Sequence, residues 1–298
     1  DDAVTAAKVA SSGAFAIGAT GTSSSLAGIP FYRADDSIYT HDVSGTDSTA
    51  QYNTAYGVNA LDAITTSDYN VAIGYEAGSS LTTHNSDVLI GYQAGKALST
   101  GDDGVIAIGY QAGLSLTTCS SSVFIGKNAG DGHDTEDHNM GIGRNALTGS
   151  VAGGEYNIAI GSYVLDDLTS ADGNTVVGYA AGAALTTGNY NVAIGYAAMN
   201  TGITTGAGNV CIGNTAGYDL TSGSGNTFVG DRAGYECTSQ SASTAIGIYS
   251  GYNLTTGDGG NTLAGYASAY NLTTGVNNTA IGYDAGRPGS PGGSLVTT

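Results

Sequence analysis

The densest group of chemically active side chains lies between residues 131 and 138, where the chain reads DGHDTEDH. Four acids and two histidines fall within these eight residues. Carboxylate oxygens bind Ca²⁺, and imidazole nitrogens bind transition metals. The segment therefore predicts a Ca²⁺ or transition-metal site, and the alternative is a solvated excursion from the surrounding repeat. Apart from Ca²⁺ at this site, we expect no cofactor. Its candidate ligands are Asp131, His133, Asp134, Glu136, Asp137 and His138.

Catalytic chemistry finds little support elsewhere in the sequence. A polysaccharide-cleaving enzyme needs two or three carboxylates that converge on one face, whereas the acids here are scattered. No Ser/His/Asp arrangement or Gly-x-Ser-x-Gly motif is visible. Cys119, Cys211 and Cys237 have neither metal-binding nor redox spacing, and we expect Cys211 and Cys237 to be small core residues. We therefore expect a protein that is not an enzyme.

The whole chain is organised around the segment NVAIGYEAGSSLTT at residues 70–83, because most of the sequence repeats it with small changes. The glycine after the isoleucine marks each copy, and we call it the anchor glycine. Successive anchors are 17, 17 and then 18 residues apart, and this rhythm recurs. A fixed period of this kind indicates stacked repeats. The fourteen anchors are Gly57, Gly74, Gly91, Gly109, Gly126, Gly143, Gly161, Gly178, Gly195, Gly213, Gly230, Gly247, Gly265 and Gly282.

Each repeat predicts one coil of an all-β parallel β-solenoid, or β-roll, with about fourteen coils of 17–18 residues. The residues before the anchor alternate in size, as in a strand, and the following Ala-Gly predicts a corner. A Leu-Thr-Thr run predicts a second short strand, and the polar residues after it predict a second corner. We expect one isoleucine and one leucine of each coil to point inward. The predicted core includes Ile73, Ile90, Ile108, Ile160, Ile194, Leu81, Leu98, Leu116, Leu185 and Leu254.

An asparagine stands four residues before the anchor in ten of the coils. No catalytic scheme uses ten copies of one asparagine, so we expect a structural role. Stacked amides can bond to one another in a ladder, or each can hold its own turn. A single coil cannot fold alone, because two buried aliphatic side chains do not offset the entropy of ordering the coil. Contacts between neighbouring coils must supply the rest.

Departures from the repeat divide the chain into three segments. Residues 1–50 predict an N-terminal cap or connecting segment, residues 51–286 the solenoid, and residues 287–298 a C-terminal tail or linker. The first segment holds the aromatic pair Phe31 and Tyr32, which we expect to take part in assembly. Tyrosines that follow an anchor, such as Tyr75, Tyr92 and Tyr110, would form a stripe on stacked coils. We expect this stripe to pack between subunits, and the alternative is sugar binding by ring stacking.

The formal charge of −18 argues against nucleic acid and anionic membrane surfaces as partners. No stretch of about 18 apolar residues is present, so we expect no direct membrane insertion.

The repeated text N-T/V-A-I-G-Y-x-A-G resembles the shaft repeats of phage tail-fibre proteins and of related bacterial surface proteins. It is also similar to the coils of trimeric autotransporter adhesin heads. The likeness covers residues 51–286 and implies a trimer of parallel β-rolls outside the cell or on a virion. The step of 17 or 18 residues is longer than the adhesin-head coil, so the trimer is implied by family likeness alone.

These observations together predict a non-catalytic structural or adhesive fibre protein, the elongated shaft of an extracellular or virion appendage. Its expected partners are copies of itself, as a trimer or a filament, together with a cell-surface glycan or receptor. The alternative function is a subunit of a self-assembling extracellular filament that is joined through its N-terminal segment.

Overall fold

The computed structural model describes residues 24–26, 29–34, 37–39, 49–101, 103–149, 153–201, 204–256, 259–287 and 296–297. Its architecture is a single stack of coils, each of which contributes one short strand to a long parallel sheet. The predicted all-β parallel solenoid is therefore confirmed. The described strands are β1 (Ser24–Leu26), β2 (Ile29–Ala34), β3 (Ser37–Tyr39), β4 (Thr54–Tyr56), β5 (Val71–Ile73), β6 (Val88–Ile90), β7 (Ile106–Ile108), β8 (Val123–Ile125), β9 (Met140–Ile142), β10 (Ile158–Ile160), β11 (Thr175–Val177), β12 (Val192–Ile194), β13 (Val210–Ile212), β14 (Thr227–Val229), β15 (Thr244–Ile246), β16 (Thr262–Ala264), β17 (Asn278–Ile281) and β18 (Val296–Thr297).

The register of the sheet follows the sequence period. Ala159 of β10 pairs with Val176 of β11, and Val176 pairs with Ala193 of β12. Each of the strands β4 to β17 thus ends directly before one of the fourteen anchors, with thirteen steps between them. The chain also pairs antiparallel strands at the two ends of the sheet. At the N-terminal end, β3 pairs with β4 in parallel, β2 pairs with β3 antiparallel, and β1 pairs with β2 antiparallel. At the C-terminal end, β18 pairs antiparallel with β17.

Every anchor except the last, Gly282, must be glycine because the next coil lies directly against it. At Gly178 the backbone has φ 141°, and an added Cβ would overlap the carbonyl oxygen of Gly195. A side chain would therefore meet both backbone strain and a backbone clash. The same overlap recurs from Gly57 to Gly265, each anchor against the next.

The prediction that the isoleucine before each anchor points inward is wrong. The middle residue of each strand is buried instead, and Ile73, Ile160 and Ile194 are 36–38 % exposed. Their neighbours Ile90 and Ile108 are also only partly buried. Alternation fixes which residues share a face but not which face is inside. Each strand turns its middle residue toward the core, and that residue is alanine in seven of the fourteen coils and Phe or Leu in four others.

The leucine seven residues after the anchor does lie inside the coil. Leu81, Leu98, Leu116 and Leu254 are fully buried, and Leu185 is 1 % exposed. The run of Leu-Thr-Thr residues does not form the second strand that the sequence predicts. Its described pairings reduce to two isolated bridges, Leu185 with Thr204 and Thr256 with Thr274.

On the side of the coil that holds the Leu-Thr-Thr run, threonine residues donate hydrogen bonds to the next coil. The backbone N–H groups of Thr82 and Thr83 both donate to the carbonyl oxygen of Ser99 in the next coil, at 3.0 and 3.2 Å. The Thr82 hydroxyl donates to the same oxygen at 2.9 Å. One carbonyl therefore accepts three donors, a geometry that a regular parallel ladder does not provide.

In several coils, two side chains of complementary size fill the core. One belongs to the inward residue of the strand, and the other to the residue four positions after the anchor. Gly130 stands four residues after its anchor and lies against the Phe124 ring. A Cβ added at Gly130 would overlap that ring. In four of the eight coils whose inward strand residue is alanine or glycine, the position of Gly130 holds a large residue in its place. Those residues are fully buried at φ 50–55°, a left-handed conformation that costs about 1–2 kcal/mol in a non-glycine residue. They are Leu61, Leu147, Leu165 and Met199, opposite Ala55, Gly141, Ala159 and Ala193.

Candidate functional site

The residues of the predicted cation site do not converge on one point. His133 occupies the inward leucine position, fully buried, with its ring 5.3 Å from the Phe124 ring. The exposed His138 ring stacks on Tyr156 at 4.9 Å. Asp134 is exposed and Asp131 is half-buried. The two histidines therefore lie on opposite sides of the coil wall.

The carboxylates of the two remaining acids already accept hydrogen bonds from backbone N–H groups. Glu136 accepts hydrogen bonds from the N–H groups of Asp134 and Gly153, at 3.1 and 2.9 Å. Asp137 accepts one from the N–H of Ser120 at 2.7 Å. Within the described ranges, no three His, Cys, Asp or Glu side chains are grouped to hold a metal ion. The predicted cation site is therefore corrected to an acidic corner whose carboxylates cap backbone groups.

A buried histidine–aspartate pair, absent from the predicted site residues, forms a second polar cluster. His84 Nδ1 lies 2.7 Å from Asp87 Oδ2, and His84 Nε2 lies 2.9 Å from the carbonyl oxygen of Cys119. Both side chains are fully buried. Burial lowers the pKa of His84, but the Asp87 hydrogen bond and charge, with the Cys119 carbonyl, outweigh it and the pKa is raised. Because both ring nitrogens face acceptors, the imidazolium form fits this site.

All three cysteines lie in the core as free thiols. Burial raises the pKa of Cys119 and of Cys237 to about 12, and it raises that of Cys211 as well. A reactive cysteine needs the opposite shift, toward the thiolate. Cys211 and Cys237 fit the small-core-residue interpretation.

The asparagine four residues before the anchor forms a ladder that runs up the buried corner. The N–H of Asn191 donates to Asn174 Oδ1 at 2.8 Å, and Asn174 Nδ2 donates to Asn157 Oδ1 at 3.0 Å. Asn191 Nδ2 reaches the Gly206 carbonyl of the following coil at 2.9 Å. The ladder interpretation, rather than isolated turns, describes this column.

A second ladder, which was not predicted, lies two residues earlier in each coil and runs in the opposite direction. The N–H of Glu155 donates to Asp172 Oδ1 at 2.9 Å, and that of Asp172 donates to Asn189 Oδ1 at 2.8 Å. Here the later coil accepts, whereas in the asparagine ladder the earlier coil accepts. The sequence feature that marks this ladder is an Asp, Asn or Ser six residues before most anchors. The ladder explains why acids recur at this corner.

The tyrosines form stacks of nearly parallel rings on the outside. Tyr75, Tyr92 and Tyr110 stack at centroid distances of 5.4 and 5.1 Å, and each is 42–47 % exposed. Rings stacked in this way cover each other's faces and present their edges and hydroxyls. The arrangement favours packing over stacking with sugar rings. Phe31 and Tyr32 belong to β2, and their side chains lie outside the described residues.

The outward residues of β4 to β17, together with the tyrosines that follow some anchors, form a continuous surface that we call the outer sheet face. One and three residues before each anchor, the side chain is aliphatic, Met, Thr or Tyr in every coil, and never charged. Ile246 is 47 % exposed and Ile281 69 %.

Comparison of the chain with protein families, with curated proteins and with solved structures finds no match.

Proposed function

We propose that the chain is a non-catalytic structural shaft of an extracellular or virion appendage. The observation that carries the proposal is the unbroken parallel stack of β4 to β17, in which every coil bonds to the next. At about 4.8 Å per strand, thirteen steps give a rod roughly 60 Å long. Repetition of one coil gives length and stiffness with a single solution to core packing.

The extracellular or virion location and the trimeric state rest on the sequence resemblance. Adhesion to a glycan or receptor is part of the same proposal and has the same support. In the described part of the chain there is no helix, and therefore none long and apolar enough to span a bilayer.

Small-angle scattering from the purified chain tests the shaft. The expected pair-distance distribution is that of a rod, with a maximum dimension above roughly 60 Å for each copy. A distribution typical of a compact globule of the same mass would contradict the proposal. Glycan-array binding by the same sample tests the adhesive part separately.

The alternative is a filament subunit joined through its N-terminal segment. The observation that favours it is the antiparallel pairing of β1, β2 and β3 beyond the first coil, which places a strand edge at that end. Such edges accept further strands. Negative-stain images separate the two functions, because finite rods support the shaft and open-ended fibres support the filament.

A further inference from the structure

We infer that the outer sheet face is buried in solution against a second copy of this chain. The inference deepens the proposed structural role and rests on it, since it names the partner and the surface that shaft assembly uses. It starts from the reversed strand faces described above. The isoleucine or valine that stands one residue before nearly every anchor points away from the core, where a lone copy leaves it partly exposed to water.

The extent of this surface suits a stable interface. Fourteen strands at about 4.8 Å, each presenting roughly 10 Å of chain, cover about 650 Å², and the seven tyrosines that follow anchors extend this area toward about 800 Å². A specific interface buries about 800 Å² on each partner. The largest apolar patch on an ordinary monomer is about 300–600 Å². The outer sheet face, in which six outward residues are threonine, therefore lies at or above the upper end of the patch size that a lone copy ordinarily exposes.

The shape of the surface selects a second copy as the occupant. Its ridges repeat every coil through thirteen steps, with isoleucine or valine one residue before nearly every anchor. A partner must present rows with the same spacing over the same length. A second copy of the chain does so without adjustment, because its coils have the same rise.

Charge limits the association to this face. The chain carries a formal charge of −18, so most of its surface repels another copy. One and three residues before each anchor there is no charged residue to repel. Salt screens the surrounding acids, so we expect association to strengthen as ionic strength rises.

The stacked tyrosines continue this surface beyond the anchors. Tyr75, Tyr92 and Tyr110 present ring edges and hydroxyls from coils whose outward strand residues are Val71, Val88 and Ile106. Tyrosine is enriched at protein interfaces because it joins an apolar ring to a hydrogen-bonding group. This gives the predicted assembly role of the tyrosines a physical basis.

Sedimentation velocity of the full chain tests the inference. We expect the wild-type chain to associate at micromolar concentration, more tightly in high salt. The variant I108K/I160K/I212K places three charges on the outer sheet face and should raise the dissociation constant by at least about 100-fold. The matched control T83K/T118K/T187K adds the same charge at exposed threonines outside this face and should associate like the wild type.

A labelling experiment covers the case in which the lysine variant fails to fold. In I160C, the new thiol should react with a maleimide when the protein is dilute and be protected when it is concentrated. In T187C it should react equally at both concentrations. Monomeric wild type at every concentration and salt, or equal labelling of I160C throughout, overturns the inference. A rod-shaped monomer in those experiments would leave the shaft proposal intact, whereas loss of the rod would contradict the shaft itself.

Discussion

At the scale of single residues, His133 is a polar side chain in an apolar position. The inward column elsewhere is mostly leucine, and both ring nitrogens of His133 are buried without a hydrogen-bond partner. The Glu136 carboxylate is 4.0 Å from Nδ1, beyond hydrogen-bond distance. Burial lowers the pKa of His133 from 6.5 to about 4.

Replacing His133 with leucine should therefore stabilise the chain by about 1–3 kcal/mol, since the unpartnered nitrogens are removed from the core. The wild type should also lose stability as pH falls from 6.5 to about 4, because the unfolded chain binds the proton first. The loss attributable to His133 is roughly 3 kcal/mol and should be missing in His133→Leu. Urea unfolding at pH 7.5 and pH 4.5 measures both effects.

The control for this experiment is His138→Asn on the exposed side of the same coil. Asparagine tolerates the left-handed backbone of this position, where φ is 58°. Its stability should match the wild type within about 0.5 kcal/mol. Equal acid sensitivity in His133→Leu and wild type would contradict the role assigned to His133.

The His84–Asp87 pair has the opposite pH dependence. Because the pKa of His84 is raised in the folded chain, its contribution is complete below the ordinary value of 6.5 and is lost as pH rises through the raised pKa. Asp87→Asn keeps the acceptor for the Val105 N–H but removes the charge beside the imidazolium. The variant should be less stable than wild type by about 1–3 kcal/mol at pH 5.5.

Melting temperatures at pH 5.5 and 8.5 measure this difference, and a nitrogen NMR titration of the His84 ring reports its pKa directly. The gap between wild type and Asp87→Asn should narrow at the higher pH. A gap that widens as pH rises would show that the pair is held in a different protonation state.

At the scale of the coil, the anchor glycine is the element that fixes how neighbours meet. Gly178→Ala and Gly282→Ala introduce the same methyl group at similar φ values, 141° and 123°. Only Gly178 faces the backbone of a following coil, and an added Cβ at Gly282 meets nothing within 4 Å. The two variants therefore separate the backbone clash from the conformational strain.

Gly282→Ala should cost about 1–3 kcal/mol from strain alone. Gly178→Ala should cost at least about 2 kcal/mol more, because no side-chain movement relieves a clash with the Gly195 carbonyl. Chemical denaturation of both variants gives the comparison. Equal losses would mean that the coils separate easily, which the hydrogen-bonded stack does not predict.

At the scale of the whole molecule, a stack of nearest-neighbour contacts should tolerate the loss of one complete coil. Deletion of residues 231–247 joins Gly230 to Ile248 across one step of the repeat. The new coil keeps Phe228 opposite a glycine, now Gly251, and the asparagine ladder runs from Asn226 to Asn261. We expect a folded rod shorter by about 4.8 Å.

Deletion of residues 231–238 is the matched comparison, because it removes about half of a coil and breaks the register. This variant should unfold at a lower temperature or fail to fold. Circular dichroism and small-angle scattering distinguish the two outcomes. Equal stability of the two deletions would contradict the nearest-neighbour description.

Much of the architecture follows from the sequence because periodicity is a property of the chain itself. The step between anchors sets the strand register, and the recurring asparagine and leucine columns identify groups that stacking must bury. The second ladder, at Asp172 and its equivalents, was also readable as a recurring Asp, Asn or Ser. It was missed because an acid at a corner also suits a solvent-exposed position.

Three features were decided only by the tertiary structure. Alternation in a strand cannot tell inside from outside, and the packing of the coil turned the middle residue of each strand, rather than the isoleucine after it, toward the core. The cation ligands of residues 131–138 were close in sequence, yet the coil wall separated His133 from His138 and gave Glu136 and Asp137 to backbone donors. His84 meets the carbonyl of a residue 35 positions away, because stacking brings coils together that the sequence keeps apart.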